Sequence, residues 1–467
     1  MEETYTEIKH SKRIIMSYGF GKFLQQFILT AFASYAFFFY ESELGLASLL
    51  TGLGYVIFAI WNAINDPIVG YLTNRPFKFT KKWGRRFPWI LFGGIPFILS
   101  YILIFAPPNL ELGSSVSRTW TIFFWLVIST CIFDTFGSIW LVNLDSLYPE
   151  KFSSIKERRK VSQIATPIGI VGIALGSILP PLFVEFNNLS SYITQAVIVV
   201  IVCFITFSLS IPGSRDDREC TARYLAYHKK NPDQDSFVKA MKKATSLKNF
   251  RVIIIVFLLY QFLTSSMTAS IPYLTRFILG MEAEAMTLIM VGFLVSAIIS
   301  IPFWIKIANR LNDNRKVMLI AGLGLAIATA PLIFLRDYIL VIISVTTWGI
   351  FLGGFWAIYT PVLAEAIDES VVKFKKREEG IFNGVLAFFG RIAVVLQALS
   401  FAIIHVLTGF IEEAPIQSNL AIWGIQIHFA LLPMIAMFLG MVIFWKWFDL
   451  RPDKVIYLKK KMKELNI

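Results

Sequence analysis

Twelve long apolar runs separated by shorter polar stretches make up most of the chain. They lie near residues 14–40, 46–73, 88–106, 119–147, 163–184, 192–212, 252–279, 286–305, 317–335, 338–364, 380–408 and 420–445. Each run has about 19–29 residues, which as a helix spans a hydrocarbon core of about 30 Å, the longer ones with tilt. The pattern therefore predicts an all-α membrane protein with twelve transmembrane helices.

Composition excludes several other classes of protein. Of the 467 residues 56% are hydrophobic and 16% are charged, whereas soluble chains carry about 25% charged residues. The three cysteines and four histidines are scattered and match neither a disulfide framework nor a metal motif. No catalytic cluster of polar residues appears at a helix end, so an enzyme such as an acyl- or glycosyltransferase is disfavoured and no cofactor is expected.

The basic residues predict the orientation of the helices. With the N-terminus in the cytoplasm, 39 Lys and Arg residues lie in cytoplasmic segments and three lie in outer loops. This bias is the positive-inside signal, and it explains the net charge of +13 without a nucleic-acid partner. The polar N-terminus does not resemble a cleaved signal peptide. We therefore expect a multi-pass plasma-membrane protein with both termini in the cytoplasm.

The chain also appears doubled. The cytoplasmic turn ending at Arg85 and Arg86 before the third run is echoed by Arg315 and Lys316 before the ninth, 230 residues later by the spacing of Arg85 and Arg315. We predict an N-terminal six-helix half over 1–212, a cytoplasmic linker over 213–251, and a C-terminal half with a cytoplasmic tail over 252–467. Two six-helix halves joined in this way are typical of the major facilitator fold, whose substrate site lies near the membrane midplane.

Particular motifs resemble a known family. The segment Ile60–Gly70, the run Trp83–Leu91, the opening Ser17–Gly21, Arg377–Gly380 and the stretch from Gln426 to Phe448 are similar to the melibiose permease-like family of glycoside–pentoside–hexuronide:cation symporters. The resemblance spans both halves of the chain. It implies symport of a small-molecule substrate with Na⁺ or H⁺, by alternating access.

The resemblance also implies a cation site, with departures. Family carboxylates correspond here to the amides Gln26 and Asn62, and Asp66 is the acidic residue that remains, beside Asn65. Oxygen ligands of this kind suit a hard cation such as Na⁺, and a desolvated carboxylate also favours a bound proton. The alternative is that Asp66 holds basic residues of a cytoplasmic loop.

The family's sugar-binding positions correspond to residues of a different character. In an ungapped comparison its carboxylate in the fourth helix falls at Leu141, its aromatic partner at Asp145, and its lysine in the eleventh helix at Gly390 or Arg391. A lysophospholipid or other amphiphile, which relatives in the same superfamily transport, therefore stays open as the substrate.

Polar and aromatic residues inside the apolar runs supply the candidate substrate contacts. Asp134 and Asp145 are eleven residues apart, which places them on one face of a helix, with Trp140 between them. Asp134 is expected to take part in substrate or cation handling. Arg391 is expected to bind an anionic group of the substrate or to neutralise a carboxylate of the fourth helix. Tyr18, Trp348 and Trp356 complete the predicted substrate site.

Purely structural roles are alternative explanations for several of these residues. Pairing with Arg158 or Arg159 also explains Asp145, and snorkelling explains Lys22 beside Gln25 and Gln26. Packing or interface anchoring explains Trp348 and Trp356. His405 and His428 are expected to be structural. The arginines of the cytoplasmic turns are predicted gating residues, namely Arg85, Arg86, Arg158, Arg315 and Arg377.

Four functions remain in competition. The first is a cation-coupled glycoside symporter, and the second is an amphiphile transporter of the same fold. A membrane enzyme and a transporter-derived sensor rank below them, because no catalytic cluster and no extra soluble domain is evident in the sequence. We expect a monomer in the lipid bilayer.

Overall fold

The structure, a computed structural model, describes residues 10–464 except 74, 76, 109–114, 153–154, 218–220, 222–240, 243–244 and 375–378. Within these ranges twelve helices are long and apolar enough to cross a membrane. They are α1 Lys12–Glu43, α2 Ser48–Thr73, α3 Phe87–Phe105, α4 Val116–Lys151, α5 Lys160–Phe183, α6 Leu189–Ser214, α7 Lys248–Ile278, α8 Ala285–Leu311, α9 Asn314–Ile333, α10 Tyr338–Phe374, α11 Gly384–Thr408 and α12 Asn419–Trp447. A polar helix, α13 Pro452–Glu464, follows. The predicted all-α class with twelve spans is confirmed.

The chain divides into two compact units. The first unit comprises Met1–Leu46 and Leu53–Gln234, and the second comprises Ala47–Gly52 and Asp235–Ile467. The first unit thus holds α1, α3 to α6 and most of α2. The second unit holds α7 to α13 and the first turn of α2.

The two units repeat an unusual local structure at the end of their first helix. In α1 the last turn, Phe39–Glu43, is a π-helix, and in α7 the last turn, Leu274–Ile278, is one as well. Each π turn is followed two residues later by a glycine with positive φ, Gly45 at 67° and Gly280 at 60°. Because glycine adopts this conformation without a Cβ clash, both helices end at the same kind of turn. The repeat is therefore visible in backbone detail.

Small residues bring pairs of helices close together inside each unit. In the first unit, a Cβ added at Gly172 or Gly176 of α5 would overlap the backbone of α1. In the second unit, a Cβ at Gly349 or Gly353 of α10 would overlap the backbone of α8. Glycines four residues apart commonly permit such close packing of membrane helices.

Two helices continue beyond their apolar runs. The sequence pattern ends near 147 and 364, whereas α4 continues to Lys151 and α10 to Phe374. At the end of α4 the Lys151 Nζ donates hydrogen bonds to the carbonyl oxygens of Gly213 at 2.9 Å and Arg215 at 2.8 Å, at the C-terminal end of α6. These polar contacts stabilise a helical turn that hydrophobicity alone does not reveal.

Candidate functional site

A buried carboxylate of α4 is held by two amides of α2. The Asn65 Nδ2 donates a hydrogen bond to Asp134 Oδ2 at 3.0 Å, and Asn62 Nδ2 donates to Asp134 Oδ1. Asp134 is 7% exposed. Nearby, Trp61 Nε1 donates to the hydroxyl of Thr135 at 3.0 Å. The structure thus brings Asn62 and Asn65, predicted for the cation site, onto Asp134, predicted for the substrate site.

Asp66 contacts α4 one turn further along. The hydroxyl of Ser138 donates a hydrogen bond to Asp66 Oδ1. Ser138 follows Asp134 by four residues, and Asp66 follows Asn62 by four, so both pairs lie along facing helix stripes. This contact gives Asp66 a hydroxyl partner inside the bundle.

An ion pair links α1 to α4 nearer the C-terminal end of α4. The Lys22 Nζ bonds to Asp145 Oδ1 and, at 3.1 Å, to Gln25 Oε1. The side chains are 28% and 51% exposed, respectively. Lys22 therefore points to a carboxylate of α4 instead of snorkelling, and it takes the place proposed for Arg158 or Arg159 as the partner of Asp145. An accessible ion pair of this kind can exchange its partners with a polar ligand.

Two predicted substrate contacts are instead buried packing residues. Tyr18 is 1% exposed and its ring stacks on Tyr148, with centroids 6.0 Å apart. Trp140 is fully buried and stacks on Phe97 at 5.7 Å. Neither ring presents a free face to a substrate in this structure, so both expectations need correction.

Gln26, predicted for the cation site, borders Gly169 of α5.

The second unit carries an aromatic cluster that joins α7 to α10 and abuts α11. The Trp356 Nε1 donates a hydrogen bond to Tyr260 Oη at 2.6 Å, and Tyr359 stacks on Phe257 at 5.5 Å. Phe257 also abuts α11, because its ring lies 3.1 Å from the Cβ position of the glycine next to Arg391. Arg391 is half-buried. The cluster defined by Phe257, Tyr260, Trp356 and Tyr359 therefore packs against α11 at the turn that carries Arg391.

Trp348 does not join this cluster. It is 4% exposed and packs edge-on against Phe293 of α8, with centroids 6.0 Å apart. The helical spacing that aligned Trp348 with Trp356 describes one face of α10, and α8 covers the N-terminal part of that face. Trp348 is therefore a packing residue in this structure.

Comparison with known proteins decides the family. Residues 17–451 match the family model described as MFS/sugar transport protein. The chain belongs to this family. The family consists of transporters and not of enzymes, so this MFS protein is a multi-pass membrane transporter.

Relatives and solved structures agree with that membership. The transporter is 22% identical to the isoprimeverose transporter of Lactiplantibacillus pentosus over 465 residues, 96% of this chain and 92% of that one. It is also 22% identical to the sodium-dependent lysophosphatidylcholine symporter 1-A of Danio rerio, over 82% of this chain and 76% of that one. The crystal structure of a D-xylose–proton symporter superposes with a TM-score of 0.66 at 13% identity, covering 94% of this chain and 98% of the other. The last likeness establishes the fold.

The predicted gating arginines of the transporter make their described contacts within their own units. Arg86 donates to Glu150 at 2.8 Å and to Asn143 at 3.2 Å, and Arg85 lies 3.4 Å from the same glutamate. Other arginines bond to backbone carbonyl oxygens that follow or end a helix, Arg158 to that of Phe152 and Arg315 to that of Phe448. Arg377 lies outside the described residues. Their part in gating stays a prediction.

Sequence reasoning missed a histidine that lies just before α1 in the first unit. The His10 Nδ1 lies 2.8 Å from Glu157 and its Nε2 lies 2.9 Å from Asp217. The hydrogen bond with Asp217, followed by that with Glu157, raises the pKa of His10 against the opposing effect of burial. No motif marks this contact, because its three members are far apart in the chain. Ser138 was also missed, although its position four residues after Asp134 was a usable signal.

The histidines of the second unit form a buried hydrogen-bonded chain. His405 and His428 are both fully buried, with their Nε2 atoms 3.0 Å apart, and His428 Nδ1 lies 2.7 Å from the hydroxyl of Ser270. The chain joins α7, α11 and α12. This arrangement agrees with the structural role expected for both histidines.

Proposed function

We propose that the protein is a symporter that couples the transport of a sugar or glycoside to a cation, Na⁺ or H⁺, by alternating access. The proposal is carried by Asp66, an aspartate inside a membrane helix whose side chain faces a hydroxyl of α4. Ionisable residues at such depth are costly and are usually retained for ion or substrate handling. The isoprimeverose transporter and the D-xylose–proton symporter support a sugar as the substrate.

The second candidate is transport of a lysophospholipid. The similarity to sodium-dependent lysophosphatidylcholine symporters favours it, and the cluster of Phe257, Tyr260, Trp356 and Tyr359 is compatible with it. Aromatic faces pack against sugar rings and against acyl chains alike. Arg391 then has a different role in each case, because a phosphate offers it a charge that a neutral sugar does not.

We propose that both termini of the transporter lie in the cytoplasm, on the strength of the charge bias of its loops, and that it acts as a monomer in the plasma membrane. The substrate contacts proposed are Lys22 and Asp145 in the first unit, and Trp356 and Arg391 in the second. These four side chains are at least partly exposed.

Reconstitution in liposomes tests the function. Uptake of isoprimeverose, D-xylose and lysophosphatidylcholine is measured under an imposed Na⁺ gradient, an imposed pH gradient, or neither. We expect one gradient to drive accumulation of one substrate class. Asp66→Asn should abolish accumulation while substrate exchange without a gradient persists, because the proposed substrate contacts lie elsewhere. Normal accumulation by Asp66→Asn would refute the role of this residue.

A further inference from the structure

Two side-chain hydrogen bonds connect α2 and α4 in the first unit. Asn62 donates one to Asp134, and one turn further along Ser138 donates one to Asp66. The members of each helix are four residues apart, about 6 Å along the helix axis. Two carboxylates therefore lie within one turn of each other on facing helices, each opposite a neutral polar side chain.

The neighbours of Asp134 donate hydrogen bonds to its carboxyl group without bringing a charge to it. Both of its oxygens accept hydrogen bonds from amide groups, and an amide brings no charge. Asn65 is 7% exposed, as is Asp134, so water has little access to this contact. A carboxylate that is buried among neutral donors and close to a second carboxylate is stable when a cation or proton accompanies it.

An oxygen atom remains for such a cation. Among the residues that the structure describes, Asn62 Oδ1 is buried and has no hydrogen-bond partner. A buried carbonyl oxygen without a partner is costly, and it is also the kind of ligand that hard cations select. Together with the two carboxylates and the hydroxyl of Ser138, it completes a set of oxygen donors on two helices.

We infer that Asp134 is the second carboxylate of the coupling site, acting with Asp66. Asn65 is a positioning residue that holds it, and Asn62 holds it through Nδ2 while offering Oδ1 to the ligand. This inference rests on the proposed cation coupling and moves Asp134 from the predicted substrate site to the cation site. The ligand is Na⁺ or a proton, bound between α2 and α4. Asp145, on the same helix face, stays with the substrate contacts.

An exchange of residues tests the inference. Asp134→Asn removes the carboxylate from α4. Adding Asn62→Asp restores a carboxylate at the same contact, now on α2, with the amide on α4. In liposomes with a tenfold cation gradient, Asp134→Asn should lower accumulation about tenfold, to the level reached without a gradient, while exchange persists. The double variant should recover at least half of the accumulation. Asp453→Asn, at an exposed position in α13, is the matched control and should transport normally.

The outcomes separate this inference from the proposed function. Full accumulation by Asp134→Asn, or a double variant that accumulates no better than Asp134→Asn, overturns the role of Asp134. If the wild type accumulates nothing, the proposed function fails, and the same variants are compared by melting temperature in NaCl against choline chloride and across pH. A Na⁺ or pH effect that Asp134→Asn loses and the double variant regains upholds the site; an effect equal in all variants, or absent from all, overturns it.

Discussion

Replacing Arg86 should destabilise the first unit strongly. Its guanidinium is 4% exposed and lies just before α3, where it donates to Glu150 of α4 from Nη2 at 2.8 Å and from Nε at 3.2 Å. A further hydrogen bond, 3.2 Å long, runs from Nη1 to Asn143 of α4. Arg86→Ala removes all of these contacts at once and leaves the carboxylate of Glu150 without its closest cation.

The size of the effect follows from burial. Removing one partner of a buried ion pair costs about 3–5 kcal/mol, since the other charge is left in a poor environment. Glu150 is 29% exposed, so water compensates in part and about 3 kcal/mol is the better figure. For a cooperative unit of about 200 residues this lowers the melting temperature by about 6–12 °C. Arg86→Lys keeps the charge but not the planar fork, and should lose about half as much.

Thermal unfolding of the purified protein in detergent measures the effect. Arg75→Ala is the control, because Arg75 is exposed and lies over the ring of Tyr71 in the preceding helix turn. It should change stability by less than about 0.5 kcal/mol. Arg86→Ala combined with Glu150→Gln should unfold at a higher temperature than Arg86→Ala alone, because the stranded charge is gone. An Arg86→Ala protein as stable as Arg75→Ala, or strictly additive losses in the double variant, would refute this reasoning.

Three further predictions concern pH dependence, packing and topology. The pKa of His10 is raised by the two carboxylates beside it, so its stabilising contribution is complete below its ordinary value of 6.5 and is lost as the pH rises through the raised value. His10→Gln should therefore lower the melting temperature at about pH 5.5 and change it little at about pH 9; equal shifts at both pH values would exclude a charged histidine. Gly353→Leu forces a side chain into the backbone of α8 and should cost at least about 2 kcal/mol by thermal unfolding, whereas Gly384→Leu, with no atom near its Cβ position, should cost under about 0.5 kcal/mol. In sealed cells, an impermeant thiol reagent should label a cysteine placed at Asn187 and leave one at Asp233 unlabelled; labelling at 233 would reverse the predicted sidedness.

The sequence was sufficient for the spans and the family. Apolar runs locate a membrane helix because the bilayer requires about 20 apolar residues, and all twelve runs became helices. The hydropathy pattern predicted the ends of α4 and α10 several residues too early. Polar contacts such as that of Lys151 stabilise the additional helical turns. Hydropathy measures the preference for lipid, and it does not measure where backbone hydrogen bonding stops.

The side-chain partners were harder to predict. The spacing of Asp134 and Asp145 predicted a common face, but their partners lie on different helices, because the packing of α1 and α2 against α4 brings Lys22 to Asp145 and two asparagines to Asp134. Trp140 shows the same limit. A Cβ at Gly94 of α3 would lie 2.9 Å from its ring, so a glycine on another helix makes the space that buries it. A helical wheel identifies a face but not its neighbour.

Gradient-driven accumulation by the wild-type protein tests cation coupling most directly. A tenfold gradient of a coupling cation stores about 1.4 kcal/mol, which for one cation per substrate supports about tenfold accumulation. In liposomes loaded to give an inward Na⁺ or H⁺ gradient, internal isoprimeverose or D-xylose should rise above the external concentration and fall back when an ionophore collapses the gradient. Uptake that stops at equal concentrations under both gradients, for these sugars and for lysophosphatidylcholine alike, would contradict coupled transport.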